Sequence, residues 1–325
     1  MKYDFIAIGG AVEDITLYVQ DGQVINNPKD ILRQKLVAFE YGAKISANKC
    51  FRFLGGGANN AATCLSRLGF TVGLLSSVGN DEFGRELFEN LDENNIDTRL
   101  VRRIHDVSSG FSVVVVGPSG EHTAFVYRGA ADLLEIGQVE KEMLACSKWL
   151  YISSLSGNWE NILDKVFSVK GPAVVWNPGI VQLKAGVTKL KKYLKKTEIL
   201  FVNKDEAIEL AISENKYKKQ SEKLLKDDRA LIEALKNFGS KKVVITDGEN
   251  GADYFDGEIF YHGNPLRVPE NKIADTTGIG DTFCSTFVAG LEIYQGDFKK
   301  AMKLAMKNAA SVLKKSGAQN GLMEL

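Results

Sequence analysis

The sequence predicts an α/β fold, with a central, mostly parallel sheet flanked by helices and a small separate sheet. Two observations carry this prediction. After about residue 130, strand-like apolar runs alternate with helical patterns, and strands alternating with helices argue for a mostly parallel sheet covered on both faces. Extended segments near 14–20, 47–53 and 111–127 do not fit that alternation, which assigns them to a second, smaller sheet.

The elements follow in order. Residues 4–9 (Asp-Phe-Ile-Ala-Ile-Gly) read as a buried strand ending in glycine. Residues 14–20 and 47–54 read as extended, and 28–36 between them as a short helix with Pro28 near its start. Residues 58–68, rich in Ala and Leu, read as a helix stopped at Gly69. A strand is expected at 71–78 and an amphipathic helix at 82–93. Residues 113–116 and 123–127 flank Pro118-Ser119-Gly120, a hairpin signal. Further strands are expected at 148–153, 172–176, 198–202 and 242–246, with helices in the gaps, notably 204–213 and 227–238. No repeat and no Pro- or Ser-rich linker divides the chain, so residues 1–325 are expected to interleave their parts as one domain.

Composition excludes several functions. The 325 residues hold 41 basic and 41 acidic side chains, so no global field draws nucleic acid or an anionic membrane. Lysine-rich stretches at 189–196 and 214–226 also carry Leu, Tyr or Glu at helical spacings, as a solvated helix face does. A local nucleic-acid patch is the rival reading there. Cys50, Cys64, Cys146 and Cys284 lie far apart with no metal-finger spacing, which reads as free thiols in a reducing compartment. Asp4, Glu13 and Asp14 interrupt the N-terminal stretch, against a signal peptide, and no apolar run reaches spanning length. A cytoplasmic enzyme or binding protein is expected.

Two glycine clusters carry the chemistry. Residues 275–281 read Asp-Thr-Thr-Gly-Ile-Gly-Asp and feed an apolar helical pattern over 283–294. A glycine turn opening a helix gathers backbone N–H groups at the positive end of the helix dipole, which suits a phosphate oxygen. Asp281 sits at that mouth, where a carboxylate can take a proton from an attacking hydroxyl. The same residues would also make an ordinary turn and N-cap. The chain has no Gly-Lys dipeptide for a Walker A loop, and Gly9-Gly10 does not continue as G-x-G-x-x-G. Gly55-Gly56-Gly57-Ala58-Asn59-Asn60 feeds a second helix, and bare backbone with amide side chains suits hydroxyl recognition. A flexible turn with an Asn cap is the plain alternative.

Together these segments resemble the two signatures of the ribokinase-like (PfkB) carbohydrate kinases, Gly-Gly-x-x-x-Asn and Asp-Thr-x-Gly-x-Gly-Asp. Residues 55–62, continuing through Arg67-Leu68-Gly69, resemble the first, and residues 275–281 match every fixed position of the second. The resemblance implies an ATP-dependent kinase acting on a hydroxyl of a sugar or sugar-like substrate. It implies Asp281 as base, with the N–H groups of Gly278, Ile279 and Gly280 holding the transferred phosphoryl. Asn203-Lys204-Asp205-Glu206 resembles the family's N-x-x-E motif, which makes Asn203 a nucleotide contact and Glu206 an Mg²⁺ residue. Thr246, Gly248 and Gly251 resemble the loop under the nucleotide, and Asn308 would contact the adenine. Asp14, Gly55, Gly56 and Asn60 would bind substrate hydroxyls, and Arg128 in Tyr127-Arg128-Gly129-Ala130 would meet a substrate oxygen or anionic group or form a salt bridge. Many members bind K⁺, for which Asp275 and Thr277 would supply backbone oxygens. The resemblance makes the small sheet, about 14–20, 47–54 and 111–128, a lid that pairs into a homodimer.

The sequence also departs from the pattern. Val12 stands where sugar-specific members often have Asn, which argues against ribose. Ala309-Ala310-Ser311-Val312 is reminiscent of adenosine kinases and points to a nucleoside as the alternative substrate. A catalytically silent sugar sensor is the alternative from another class.

Overall fold

The computed structural model describes residues 2–27, 35–117 and 122–325. The chain opens with β1 (Tyr3–Ile8) and β2 (Val12–Val19), then β3 (Gln23–Asn26), β4 (Lys35–Ala38) and β5 (Ala47–Gly55). Next come α1 (Gly57–Arg67), β6 (Val72–Gly79), α2 (Glu82–Glu93), β7 (Val101–Ile104), β8 (Phe111–Val116) and β9 (His122–Tyr127). The alternating part runs α3 (Gln138–Ala145), β10 (Ser147–Ile152), α4 (Trp159–Val166), β11 (Ala173–Trp176), α5 (Ile180–Leu194), β12 (Ile199–Asn203) and α6 (Lys204–Ile212). The short α7 (Asn215–Lys218) and α8 (Ser221–Lys226) precede α9 (Asp228–Lys236), β13 (Lys242–Thr246), β14 (Ala252–Phe255), β15 (Phe260–Gly263), α10 (Ile279–Ile293) and α11 (Phe298–Val312).

Nine strands form the main sheet in the order β15-β14-β13-β12-β11-β10-β1-β6-β7. Pairing is parallel from β13 through β7, and β14 and β15 close one edge as antiparallel strands. This antiparallel edge and β7 lie beyond the predicted strands. Alternate residues of each strand enter opposite cores. Ile6 and Ile8 of β1 join Leu163, Leu190, Leu210 and Leu235 on one side, whereas Phe5 and Ala7 join Leu65, Leu87, Phe287 and Ala305 on the other. Helices therefore cover both faces, and parallel strands buried twice over need their continuous apolar runs.

β2, β5, β8 and β9 form a separate four-stranded sheet in the order β5-β2-β8-β9. β2 pairs antiparallel with β5 but parallel with β8. β3 and β4 make an antiparallel hairpin. Of the helix expected at 28–36, residues 28–34 lie outside the described residues, and Lys35 and Leu36 belong to strand β4. Extended pairing there buries little, because Val24, Ile25, Leu36 and Val37 all remain exposed. The expected turn at 118–120 also lies outside the described residues.

The lysine stretch 189–196 ends α5 and reaches back to α4, with Lys189 bonded to Glu160 at 3.0 Å and Lys192 to Asp164 at 2.6 Å. No helix among the described residues is long and apolar enough to cross a membrane.

Candidate active site

The carboxyl ends of the parallel strands are where ligands gather in such sheets, because the loops leaving them open a crevice and carry the N-termini of the helices that follow. Asn177, Asn203 and Thr246, at the ends of β11, β12 and β13, line a cleft of about 200 Å³. Residues 278–281 and Glu206 line the same cleft.

Gly278 caps α10 in the left-handed region at φ +73°, without a side-chain cap. A Cβ there would lie 2.2 Å from the Cβ of Ala318, so strain and space both demand glycine. The N–H groups of Gly278, Ile279 and Gly280 have no acceptor among the described residues. A Cβ on Gly280 would meet nothing within 4 Å. Unanswered donors at a helix start, facing open space, form a seat for an anion.

Asp281 follows in the first turn of α10, and Asn60 Nδ2 donates to its Oδ2 at 3.0 Å. Burial pushes the Asp281 carboxyl above the usual range, and the Asn60 bond opposes this. The glycines at the start of α1 let backbone pass between two carboxylates. A Cβ on Gly55 would sit 1.8 Å from Asp14 Oδ2, and one on Gly57 3.1 Å from Asp281 Oδ1. Gly56 takes φ +90°, and its missing Cβ would strike Gly10 O at 2.5 Å. Asp14, on β2, accepts a hydrogen bond from the Ser112 hydroxyl of β8. Burial lifts its pKa from 3.8 to about 6 against that bond, and the charges of Asp281, Asp275 and Glu13 add to the rise.

On the opposite wall, Asn203 and Glu206 form a capping box at the start of α6. Glu206 N donates to Asn203 Oδ1 and Asn203 N to Glu206 Oε2, both at 2.9 Å. One Glu206 oxygen is thereby committed to the helix start. Burial raises this carboxyl to about 7, the Asn203 N–H lowers it, and Asp281, Glu209 and Asp205 raise it further. Gly251 turns the chain after β13 at φ +95°, with room for no Cβ beside Gly263 O, whereas Gly248 borders open space.

Asp275 is spent on the loop itself. Its Oδ1 accepts from Thr277 N at 2.9 Å and Thr277 Oγ1 at 2.8 Å, and its Oδ2 from Gly317 N at 3.0 Å. Arg128 is half-buried just past β9 and makes no ion pair with a described residue. Asn308 corrects the sequence reading. It is fully buried, donates to Thr286 Oγ1 at 2.8 Å and accepts from Met323 N at 2.9 Å. These bonds join α11, α10 and the C-terminal segment and leave no face for an adenine. Sequence reasoning missed Ser112, which has no local motif, and Gln319, whose Nε2 donates to Asn60 Oδ1 at 3.2 Å. Among the described residues no three His, Cys, Asp or Glu side chains are grouped to hold a metal ion.

A family model for pfkB family carbohydrate kinases matches residues 30–325. The chain is 27% identical over 298 residues to an ATP-dependent 6-phosphofructokinase of Thermoanaerobacterium thermosaccharolyticum, covering 87% of this chain and 86% of the relative. It is 23% identical over 325 residues to a probable fructokinase-7 of Arabidopsis thaliana, covering 94% and 91%. A ribokinase of Cryptococcus neoformans var. grubii serotype A in complex with ADP superposes with a TM-score of 0.77 at 20% identity, covering 99% of this chain and 97% of that one.

Proposed function

The chain belongs to the pfkB family of carbohydrate kinases, and from that membership we propose that it transfers the γ-phosphoryl group of ATP to a hydroxyl of a sugar, with Asp281 as the base. The observation that supports this most directly is Asp281 beside the three unanswered N–H groups at the start of α10. Asp281 accepts the hydroxyl proton. The N–H groups of Gly278, Ile279 and Gly280 face the charge on the transferred phosphoryl, where preorganised donors stabilise a transition state most. Asp14 and Asn60 orient the sugar from the side of β2 and α1, and Arg128 supplies a cation at the same end of the small sheet.

The nucleotide would lie along Asn203, Thr246 and the open ground beside Gly248. The donor set fits Mg²⁺, which prefers a few protein oxygens and keeps its waters and phosphate ligands. Glu206 would hold it through the oxygen not used by the capping box; when bound, the ion offsets charge between the β- and γ-phosphates. Backbone oxygens of Asp275 and Thr277 are the candidate K⁺ ligands, since the Asp275 carboxylate already accepts three hydrogen bonds within its own loop and from Gly317.

The substrate reading is a sugar in a cytoplasmic setting. The burial of Asn308 removes an expected contact to the adenine of ATP and leaves the choice of acceptor to the panel below. A silent sensor has no need of a base kept beside open donors. The face of the small sheet that carries Asp14 covers the site. Its other face presents Ile15, Leu17, Val113, Val115, Phe125 and Tyr127 by strand alternation and register. Phe125 is 61% exposed, and such an apolar face supports a homodimer formed through the lid. The decisive experiment is ADP release from Mg·ATP over a panel of sugars, sugar phosphates and nucleosides, beside Asp281→Asn. Sugar turnover lost in the variant is expected. Turnover of nucleosides alone, or an Asp281→Asn enzyme as fast as the parent, would refute the assignment.

A further inference from the structure

We propose that Gln319 is a positioning residue for phosphoryl transfer, which sets the orientation of the Asn60 amide and so the hydrogen bond that Asp281 receives. The inference rests on Asp281 being the base. Gln319 follows α11 and is only 7% exposed. Its Nε2 donates to Asn60 Oδ1 at 3.2 Å, and Asn60 Nδ2 donates to Asp281 Oδ2 at 3.0 Å.

An asparagine amide has an acceptor end and a donor end. Its hydrogen-bond partners decide which end faces which way. With a donor from Gln319 on Oδ1, only the NH₂ group is left for Asp281. The reversed amide would set Oδ1 against a carboxylate oxygen in a site that desolvates it. The acceptor-only Asp281 carboxylate favours the NH₂ end, and Gln319, which makes the only bond to Asn60 Oδ1 among the described residues, holds the other end in that orientation.

Gln319 is itself anchored. Its carbonyl oxygen accepts from Arg67 Nη1 at 2.8 Å, which ties it to the last turn of the helix that begins beside Asn60. Its neighbours brace the same loop from behind. Gly317 N donates to Asp275 Oδ2 at 3.0 Å, and Ala318 occupies the space a Cβ on Gly278 would need. Gln319 does not line the cleft, so its action on the reaction runs through Asn60.

Two substitutions separate this role from mere packing. Gln319→Glu keeps shape but at pH 8 offers Asn60 only acceptors, which favours the reversed amide. Gln319→Leu removes the donor at similar volume. With the acceptor sugar found by the panel, Gln319→Glu should lower kcat about 10–100-fold and Gln319→Leu about 3–10-fold, with both KM values within about threefold, because misorientation at the base acts on the chemical step. In an Asn60→Ala background each change should alter kcat less than about twofold, since residues acting in one chain do not add. Circular dichroism and ADP binding monitor folding, and Gln319→Leu carries the cycle if Gln319→Glu does not fold. Undiminished kcat, or equal losses with and without Asn60, would overturn the inference while the kinase reading stands. No turnover by the parent chain on any acceptor would instead sink the kinase reading, and this inference with it.

Discussion

Replacing Asp14 by Asn should stabilise the ligand-free chain while removing its turnover. The Asp14 carboxyl is wedged over Gly55 and shares its surroundings with Asp281, Asp275 and Glu13. Burial, opposed by the Ser112 hydroxyl and aided by those neighbouring charges, lifts its pKa from 3.8 to about 6. A folded-state value above the unfolded one means that the native chain holds this proton more tightly. Its contribution favours folding in full below about pH 4 and is lost as pH rises through about 6. Above that, ionising the group in place costs at most about 3 kcal/mol, the free-energy equivalent of the shift. Water reaching the cleft lowers the figure to about 1–3 kcal/mol. Asparagine has the same shape, no charge to desolvate, and an oxygen that still accepts from Ser112. The Asp14→Asn protein should therefore resist urea better by about 1–3 kcal/mol at pH 8, with the gain shrinking through the range between about pH 6 and 4 and approaching zero near pH 3. Tryptophan fluorescence from the three indoles can follow both titrations. A variant less stable at pH 8, or a gain that ignores pH, would refute the electrostatic account of Asp14.

Other outcomes follow from the same geometry. Asp281→Asn should lower kcat by about 10²–10⁴ while ADP binding by calorimetry changes little, as loss of a general base does. Asn308→Ala should destabilise the fold by about 2–4 kcal/mol in denaturant, because Met323 N–H and the Thr286 hydroxyl lose buried partners, yet leave the KM for ATP within about twofold. Phe125→Glu should shift the chain towards monomer in sedimentation velocity, by placing a charge on the apolar face of the small sheet.

Elements whose signal is local were legible in the residues themselves. Apolar runs alternating with helical patterns foretold the parallel sheet, since each run must bury both faces. Glycines at 55–57 and 278–280 marked where backbone must approach something closely, and the structure shows Asp14, Gly10 and Ala318 as what they approach. The motif of Asn203 and Glu206 stands in the sequence because its residues lie three apart, but that the two cap each other at the start of α6 came from the structure. Tertiary structure alone decided what depends on distant partners. The parallel pairing of β2 with β8 joins segments about a hundred residues apart, and no local pattern encodes that register. The antiparallel edge of β14 and β15 is short and was hidden among turn residues. Asn308 and Gln319 are polar residues near the C-terminus with no motif to separate them. Packing buries the first in a core network and sets the second behind Asn60. A buried amide takes its role from the groups that satisfy it, and those groups are chosen by the fold rather than by neighbours in the chain.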